Sequence, residues 1–175
     1  IVHENSFFYL FIFLIETGFE VIFYVRTYED CIVDKLRLAG YKKALCKAGK
    51  PFDERFIIKT DFNYNGGINA AKQILKTKIK KAGIFTVSDM IAISMVNYLN
   101  YKNIRIPEDY SVIGFDDIEL CNATYPGITT IHQPRIKIGR EACKLLINKI
   151  LETNTSNTIQ NKFLPHKLIK RGTTF

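Results

Sequence analysis

Hydrophobic positions along this chain alternate between two patterns. Residues 20–25 (EVIFYV), 56–60 (FIIKT), 82–87 (AGIFTV) and 111–115 (SVIGF) are short, continuous apolar runs rich in β-branched and aromatic side chains. Such runs predict buried strands. Between them lie longer stretches with apolar residues at helical spacing. Residues 34–48 carry Leu38, Tyr41, Ala44, Leu45 and Ala48, end at Gly49, and have Pro51 just beyond. Residues 68–75 follow Asn65-Gly66-Gly67, and residues 90–101 follow a Ser88-Asp89 cap and place Ile91, Met95 and Leu99 on one stripe. Residues 134–151 predict a further helix, 153–160 a polar Asn/Thr-rich linker, and 167–171 a closing strand. The opening run 7–15 reads as a buried helix capped by Ser6 and stopped at Gly18. Apolar strands separated by helices predict an α/β fold: a parallel sheet with helices on both faces and right-handed crossovers.

Composition narrows the class. The chain has 175 residues, 47% hydrophobic and 24% charged, which suits one α/β domain or one and a half small lobes. The opening apolar run lacks a basic n-region and a small-residue cleavage site and is too short to span a bilayer, so no membrane association is expected. The first residue, Ile1, implies a piece of something longer. A net charge of +8 invites a nucleic-acid reading. The lysines are spread through every segment, however, and the one dense cluster, residues 76–81, falls where a helix should end and cations are favoured anyway. Cys31, Cys46, Cys121 and Cys143 show no metal-site or disulfide-framework spacing, which predicts reduced thiols in a cytoplasmic protein and no metal.

In open parallel sheets, ligands bind beyond the carboxyl ends of the strands. Residues 56–60 deliver Asp61-Phe62 there, 82–87 deliver Ser88-Asp89, 111–115 deliver Asp116-Asp117, and 20–25 deliver Thr27, Tyr28, Glu29 and Asp30, with Arg37 opening the next helix. Carboxylate and guanidinium make directional hydrogen bonds to vicinal hydroxyls, and a flat ring packs on the apolar face of a sugar or base. The blander alternatives stand beside this: Ser88 and Asp89 also suit a plain helix cap, and Phe62 also suits a core. Adjacent residues on a strand point to opposite faces, so Asp116 and Asp117 need not share a site. No G-x-S-x-G, P-loop or G-x-G-x-x-G is present, and His3, His132 and His166 are far apart, so no catalysis and no cofactor are expected.

Several segments carry a family resemblance. Residues 37–45 (RLAGYKKAL), 82–90 (AGIFTVSDM), 106–117 (IPEDYSVIGFDD), 129–134 (TTIHQP) and 164–174 (LPHKLIKRGTT), in that order, resemble the lactose/galactose-repressor (LacI-type) family of transcriptional regulators. The P-E-D-x-S-V-I-G-F-D-D string is highly specific, and the likeness covers about residues 30–175. Glu4-Asn5 stands where the family has Asp-Asn, and Gly18-Phe19 where it has Gly-His. The resemblance implies a DNA-binding repressor with an N-terminal helix-turn-helix, followed by two periplasmic-binding-protein-like lobes that close on a small effector. This chain would start at the second lobe and lack the DNA-binding domain. Residues 1–132 would be the C-terminal lobe, 133–155 the crossover and a helix of the N-terminal lobe, and 156–175 the linker and closing strand of the C-terminal lobe.

Carried over position by position, the resemblance implies that Arg37 holds polar groups of the effector, Phe62 stacks on it, and Asp116 accepts its hydrogen bonds. Ser88, where the family often has Asn, keeps a shorter polar contact, and Gln133 lies at the crossover with Arg135. The implied effector is a sugar, sugar phosphate or purine, and a homodimer is implied, with residues 90–101 and 120–126 as candidate interface or, equally, plain core. The stripe Ile138, Ala142, Leu145 and Leu146 would lack its usual cover here. A periplasmic sugar-binding protein shares the two-lobed plan and is the alternative, with an enzyme of a sugar or nucleoside the third.

Overall fold

The four predicted apolar runs form the parallel centre of one sheet, seen in a computed structural model that describes residues 4–29, 31–151 and 162–175. The strands are β1 (Ile22–Thr27), β2 (Ile57–Thr60), β3 (Ala82–Thr86), β4 (Tyr110–Asp116), β5 (Thr129–His132) and β6 (Lys167–Ile169), in the order β2-β1-β3-β4-β5-β6. Pairings from β2 through β5 are parallel, whereas β6 runs antiparallel to β5 at the edge, so the sheet is mixed rather than wholly parallel. An edge strand entered from a long return needs no crossover helix, which lets it take either direction. The strand β5 was not foreseen; its sequence, TTIH, lacks the apolar run that marked the others.

Helices α1 (Glu4–Glu16) and α2 (Ile32–Lys47) cover one face, and α3 (Tyr64–Lys76) and α4 (Asp89–Tyr101) the other. Neighbouring residues of β4 show the division. A side chain at Gly114 would meet Asp89 and Ala92 of α4, while the Phe115 ring packs 5.7 Å from Phe7 of α1. Phe11 of α1 lies at the centre of an aromatic cluster, with ring centroids 4.8 Å from Tyr41 and 5.2 Å from Phe85. Two further elements complete the chain's path: α5 (Leu120–Ala123) and α6 (Arg135–Leu151).

Two boundary readings are corrected. Helix α1 begins at Glu4, so Ser6 lies within its first turn and does not cap it. Asn65-Gly66-Gly67 is not a turn before α3 but part of its first turns, with Asn63 as cap, its side chain accepting from the Gly66 amide at 2.8 Å. A Cβ on Gly67 would come within 1.9 Å of the Ser94 hydroxyl and one on Gly66 within 2.0 Å of the Asp61 carbonyl. The glycines are there because α3 lies so close to α4 and to its own entry loop. The polar linker read at 153–160 lies outside the described residues.

Helix α6 differs from all the others: none of its residues is buried. Of the stripe expected to lack cover, Ile138 and Leu145 are half-buried, and Ala142 and Leu146 exposed. The thiols of Cys31, Cys46, Cys121 and Cys143 are all free. No helix among the described residues is long and apolar enough to cross a membrane, and no cluster of His, Cys, Asp and Glu among them could hold a metal ion.

Candidate functional site

The carboxyl ends of β1, β3, β4 and β5 form a rim at which charged groups are gathered. Asp116 ends β4 with φ at +116°, and Asp117 follows at +56°. Left-handed backbone at two successive non-glycine residues is costly and is sustained only where the surroundings enforce it. The strained turn sends the two carboxylates to different partners. Asp116 accepts a hydrogen bond from the Gln133 amide at 2.7 Å. Asp117 instead accepts from the Arg171 guanidinium at 2.8 Å and from His132 Nδ1 at 2.9 Å.

Their acidities diverge accordingly. Partial burial pushes the Asp116 carboxyl above the usual carboxylate range, and the like charge of Asp89 adds to this, against the Gln133 hydrogen bond and the attraction of Arg37 and Arg135. Partial burial also works against the charged form of Asp117, but hydrogen bonds from Arg171 and His132 outweigh it and hold that carboxyl below the usual range.

Arg37 sits in the second turn of α2 rather than at its opening, because α2 starts at Ile32. Its guanidinium carbon lies 4.6 Å from the centre of the Phe115 ring and 5.4 Å from that of Phe7. Among the described residues it makes no hydrogen bond, and its Nε is buried without a partner. Burial lowers the Arg37 pKa from the ordinary arginine value, while the Tyr24 oxygen and the carboxylates of Asp116 and Asp34 pull the other way. Beneath it lies a network that sequence reasoning missed: Tyr24 donates to Asp34 at 2.7 Å, and Arg26 forms an ion pair with the same carboxylate. Burial, reinforced by Asp34, drives the Tyr24 hydroxyl far above its ordinary pKa, so it stays a donor. The one hint in the sequence was Asp34 one helical turn before Arg37.

Ser88 behaves as the plain cap of the blander reading, whereas Asp89 does not cap the helix. Ser88 caps α4, its Oγ accepting from the Ile91 amide at 3.4 Å. Asp89 is 1% exposed and accepts from the Ile118 amide at 2.9 Å and from the Thr130 hydroxyl. It thereby ties the loop after β4 to β5 and supports the strained turn at Asp116. Phe62 follows β2 in an exposed loop. Its strand is three places from β4 in the sheet, about 14 Å at the usual strand spacing. The structure thus brings Arg37, Asp116 and Gln133 into one neighbourhood, buries Ser88 beside it, and leaves Phe62 at the far end of the rim. Tyr28, at the end of β1, is likewise exposed, and Asp30 lies outside the described residues.

The model of the periplasmic binding protein-like domain matches residues 12–174. The chain is 37% identical over 138 residues to the HTH-type transcriptional repressor PurR of Vibrio atlanticus, covering 79% of this chain and 41% of that protein. It is 34% identical over 152 residues to the ribose operon repressor of Escherichia coli, covering 87% and 45%. This chain belongs to the LacI-type regulator family.

Among LacI-type regulators of known structure, a CelR–cellobiose complex superposes with a TM-score of 0.86 at 28% identity, covering 98% of this chain and 52% of the other. A regulator from Enterococcus faecium with bound ribose gives 0.81 at 29% identity, covering 96% and 61%. The chain therefore spans less than half the length of the curated LacI-type relatives named above. The sheet described here has the expected periplasmic-binding-protein-like form.

Proposed function

We propose that this chain is the effector-sensing part of a cytoplasmic DNA-binding transcriptional repressor, with operator contacts made by a separate helix-turn-helix unit. The effector is a sugar-like or purine-like molecule bound at the carboxyl-end rim. Arg37 donates to it, Asp116 accepts its hydroxyl or ring N–H groups, and Gln133 orients Asp116 and reaches the ligand from the crossover; Phe62, three strands from β4, meets only a ligand long enough to extend along the rim toward β2. Ser88 Oγ is occupied by the helix cap, so Ser88 contributes through its hydroxyl proton. The observation that carries this reading is the pairing of two partly buried, incompletely satisfied charges: among the described residues, an arginine without a hydrogen-bond acceptor and a carboxylate held by a single neutral amide. Partly desolvated charges in that state gain from a polar ligand that completes their bonding. That one relative is a ribose operon repressor, and that neighbours hold ribose or cellobiose, favours a sugar.

In the same proposal residues 1–132 and 156–175 form one lobe, and 133–155 leave it to pack in the other, which accounts for an α6 with no buried residue. Effector binding would bias the relative orientation of the lobes and so the presentation of paired DNA-binding heads by a homodimer. The dimer surface would use the exposed residues of α4 and the 120–126 segment. Ile91, Met95 and Leu99 are core, but Tyr101, Leu120 and Tyr125 are exposed, and Asn100 donates to the Tyr125 carbonyl at 3.1 Å, joining the two elements into one patch.

Calorimetric titration of the whole repressor with ribose, cellobiose, other sugars, sugar phosphates and purines tests this. One class should bind, and Arg37→Ala and Asp116→Ala should each weaken that binding about a hundredfold. Wild-type affinity in both variants would show that the ligand sits elsewhere.

A further inference from the structure

A cavity of about 290 Å³ opens on the α1 face of the sheet, apart from the rim contacts of Asp116 and Gln133. It lies between α1 and the last two strands of the sheet, β5 and the edge strand β6. The rings of Phe7, Phe13 and Phe115, together with Leu10 and Leu168, make most of its wall, and His166 supplies a polar ring. Engineered apolar cavities of about half this size bind a benzene ring. The volume is therefore ample for one substituted aromatic ring.

His166 is what distinguishes the cavity from a packing defect. Its ring stacks on Phe115 with centroids 6.2 Å apart and planes 30° from parallel. Both ring nitrogens are buried, and among the described residues neither makes a complete hydrogen bond, the Leu164 backbone offering only a partial interaction. Leaving such a group unsatisfied is costly, and native proteins rarely do so without a use for it. Burial also holds His166 below the ordinary histidine pKa, so the ring is neutral and can both donate and accept. A half-turn about its Cβ–Cγ axis exchanges the nitrogen and carbon edges at almost constant shape. The edge that lines the cavity can therefore become the hydrogen-bonding one.

We propose that this cavity is a second small-molecule site, taking a single aromatic ring with one hydroxyl or N–H group, the ring packed among Phe7, Phe13 and Phe115 and the polar group bonded to His166. The site is independent of the effector reading. Phe115, which also carries the Arg37 guanidinium, separates the two.

Phenol and toluene, nearly equal in shape, are the probes. Binding to the chain is followed by thermal shift and by the chemical shifts of the His166 ring. Phenol should bind in the millimolar range and toluene about tenfold more weakly, one hydrogen bond's difference. His166→Phe, which keeps a ring in place, should remove that preference. Leu168→Trp, on the edge strand, should weaken both ligands by filling the space; its cooperative melting would verify folding. Absence of phenol binding, equal affinity for phenol and toluene, or a phenol preference that survives His166→Phe would each overturn the proposal.

Discussion

Asp116 and Asp117 are neighbours in sequence, yet they belong to two regions built on opposite principles. Asp117 sits in a clasp where every charge is answered. Arg171 bonds its carboxylate at 2.8 Å, the Asn122 amide oxygen at 2.7 Å and the Ile128 carbonyl at 2.9 Å, and His132 bonds the same carboxylate from β5. Nearby, Thr173 accepts from the Thr129 amide at 2.8 Å and donates to the Val112 carbonyl at 2.7 Å, pinning the C-terminal segment across β4 and β5. At the rim, one residue away, Asp116 has only Gln133 among the described residues, and Arg37 has two aromatic rings and no acceptor among them. Satisfied groups stabilise a fold, whereas groups left short of partners are what a ligand can reward. The difference separates stability from recognition within a single strand end.

The largest effect should come from breaking recognition. In the proposed full-length repressor, Asp116→Ala should weaken effector binding about a hundredfold, the scale of losing charge-assisted hydrogen bonds in a partly desolvated site. Calorimetry measures it, and a loss below a few-fold would place Asp116 outside the site. Next comes the clasp. Arg171→Ala removes the guanidinium's bonds to Asp117, Asn122 and Ile128 and leaves the Asp117 carboxylate with His132, so it should cost about 2 kcal/mol of unfolding free energy. Denaturant titration reads this directly. Effector affinity should change far less than for Asp116→Ala, and a variant in which binding collapses while stability is kept would erase the distinction between the two regions.

A subtler test is Asp116→Asn. Because burial raises this carboxyl's pKa, its charged form is the strained one in the unliganded protein. Neutralising it should leave stability unchanged or raise it by up to about 1 kcal/mol while binding is lost, the trade-off expected of a recognition group. The sign of the pH dependence follows the same division. Asp117's folded pKa is depressed, so the clasp's contribution is fully present above the unfolded value near 4 and is lost as pH falls through the lower folded value. Asp116's is raised, so its protonated form is favoured in the folded state, and the stability this brings at low pH is lost as pH rises past the folded value. Acid melting curves of Asp117→Asn should therefore be flatter below about pH 4 than those of wild type, and those of Asp116→Asn should not.

Much of this was legible in the chain, for identifiable reasons. Strands β1, β3 and β4 are buried on both faces, so their residues are apolar without alternation. The rim followed from the rule that ligands lie beyond strand carboxyl ends, and the adjacent-residue argument separated Asp116 from Asp117. What escaped had no local signature. Gly66-Gly67 looks like a turn because glycine is shared by turns and close helix contacts, and only the approach of Ser94 tells them apart. Strand β5 is half threonine, its hydroxyls spent on Asp89, Thr174 and the Arg171 carbonyl and amide, which are partners 41 to 45 residues away. The network of Tyr24, Arg26 and Asp34 under Arg37 left no more than the hint of Asp34 one turn earlier, because burial of a charge is a property of the fold, not of its neighbours in sequence.

The smallest expected effect concerns α6, and it is small for a physical reason. Apolar side chains contribute to stability in proportion to the area they remove from water. Leu146, Ile147 and Ile150 are more than half exposed, so they remove little. In residues 1–175 alone, Leu146→Ser or Ile150→Ser should shift the unfolding free energy by no more than about 0.5 kcal/mol, against several times that for an equally large core residue such as Leu99. In the whole repressor, where α6 is proposed to pack in the other lobe, the same substitutions should cost about 2 kcal/mol or more. Parallel denaturant titrations of the two forms decide the matter. Equal, small losses in both would mean that the helix has no cover in either, and the lobe assignment of residues 133–155 would have to be abandoned.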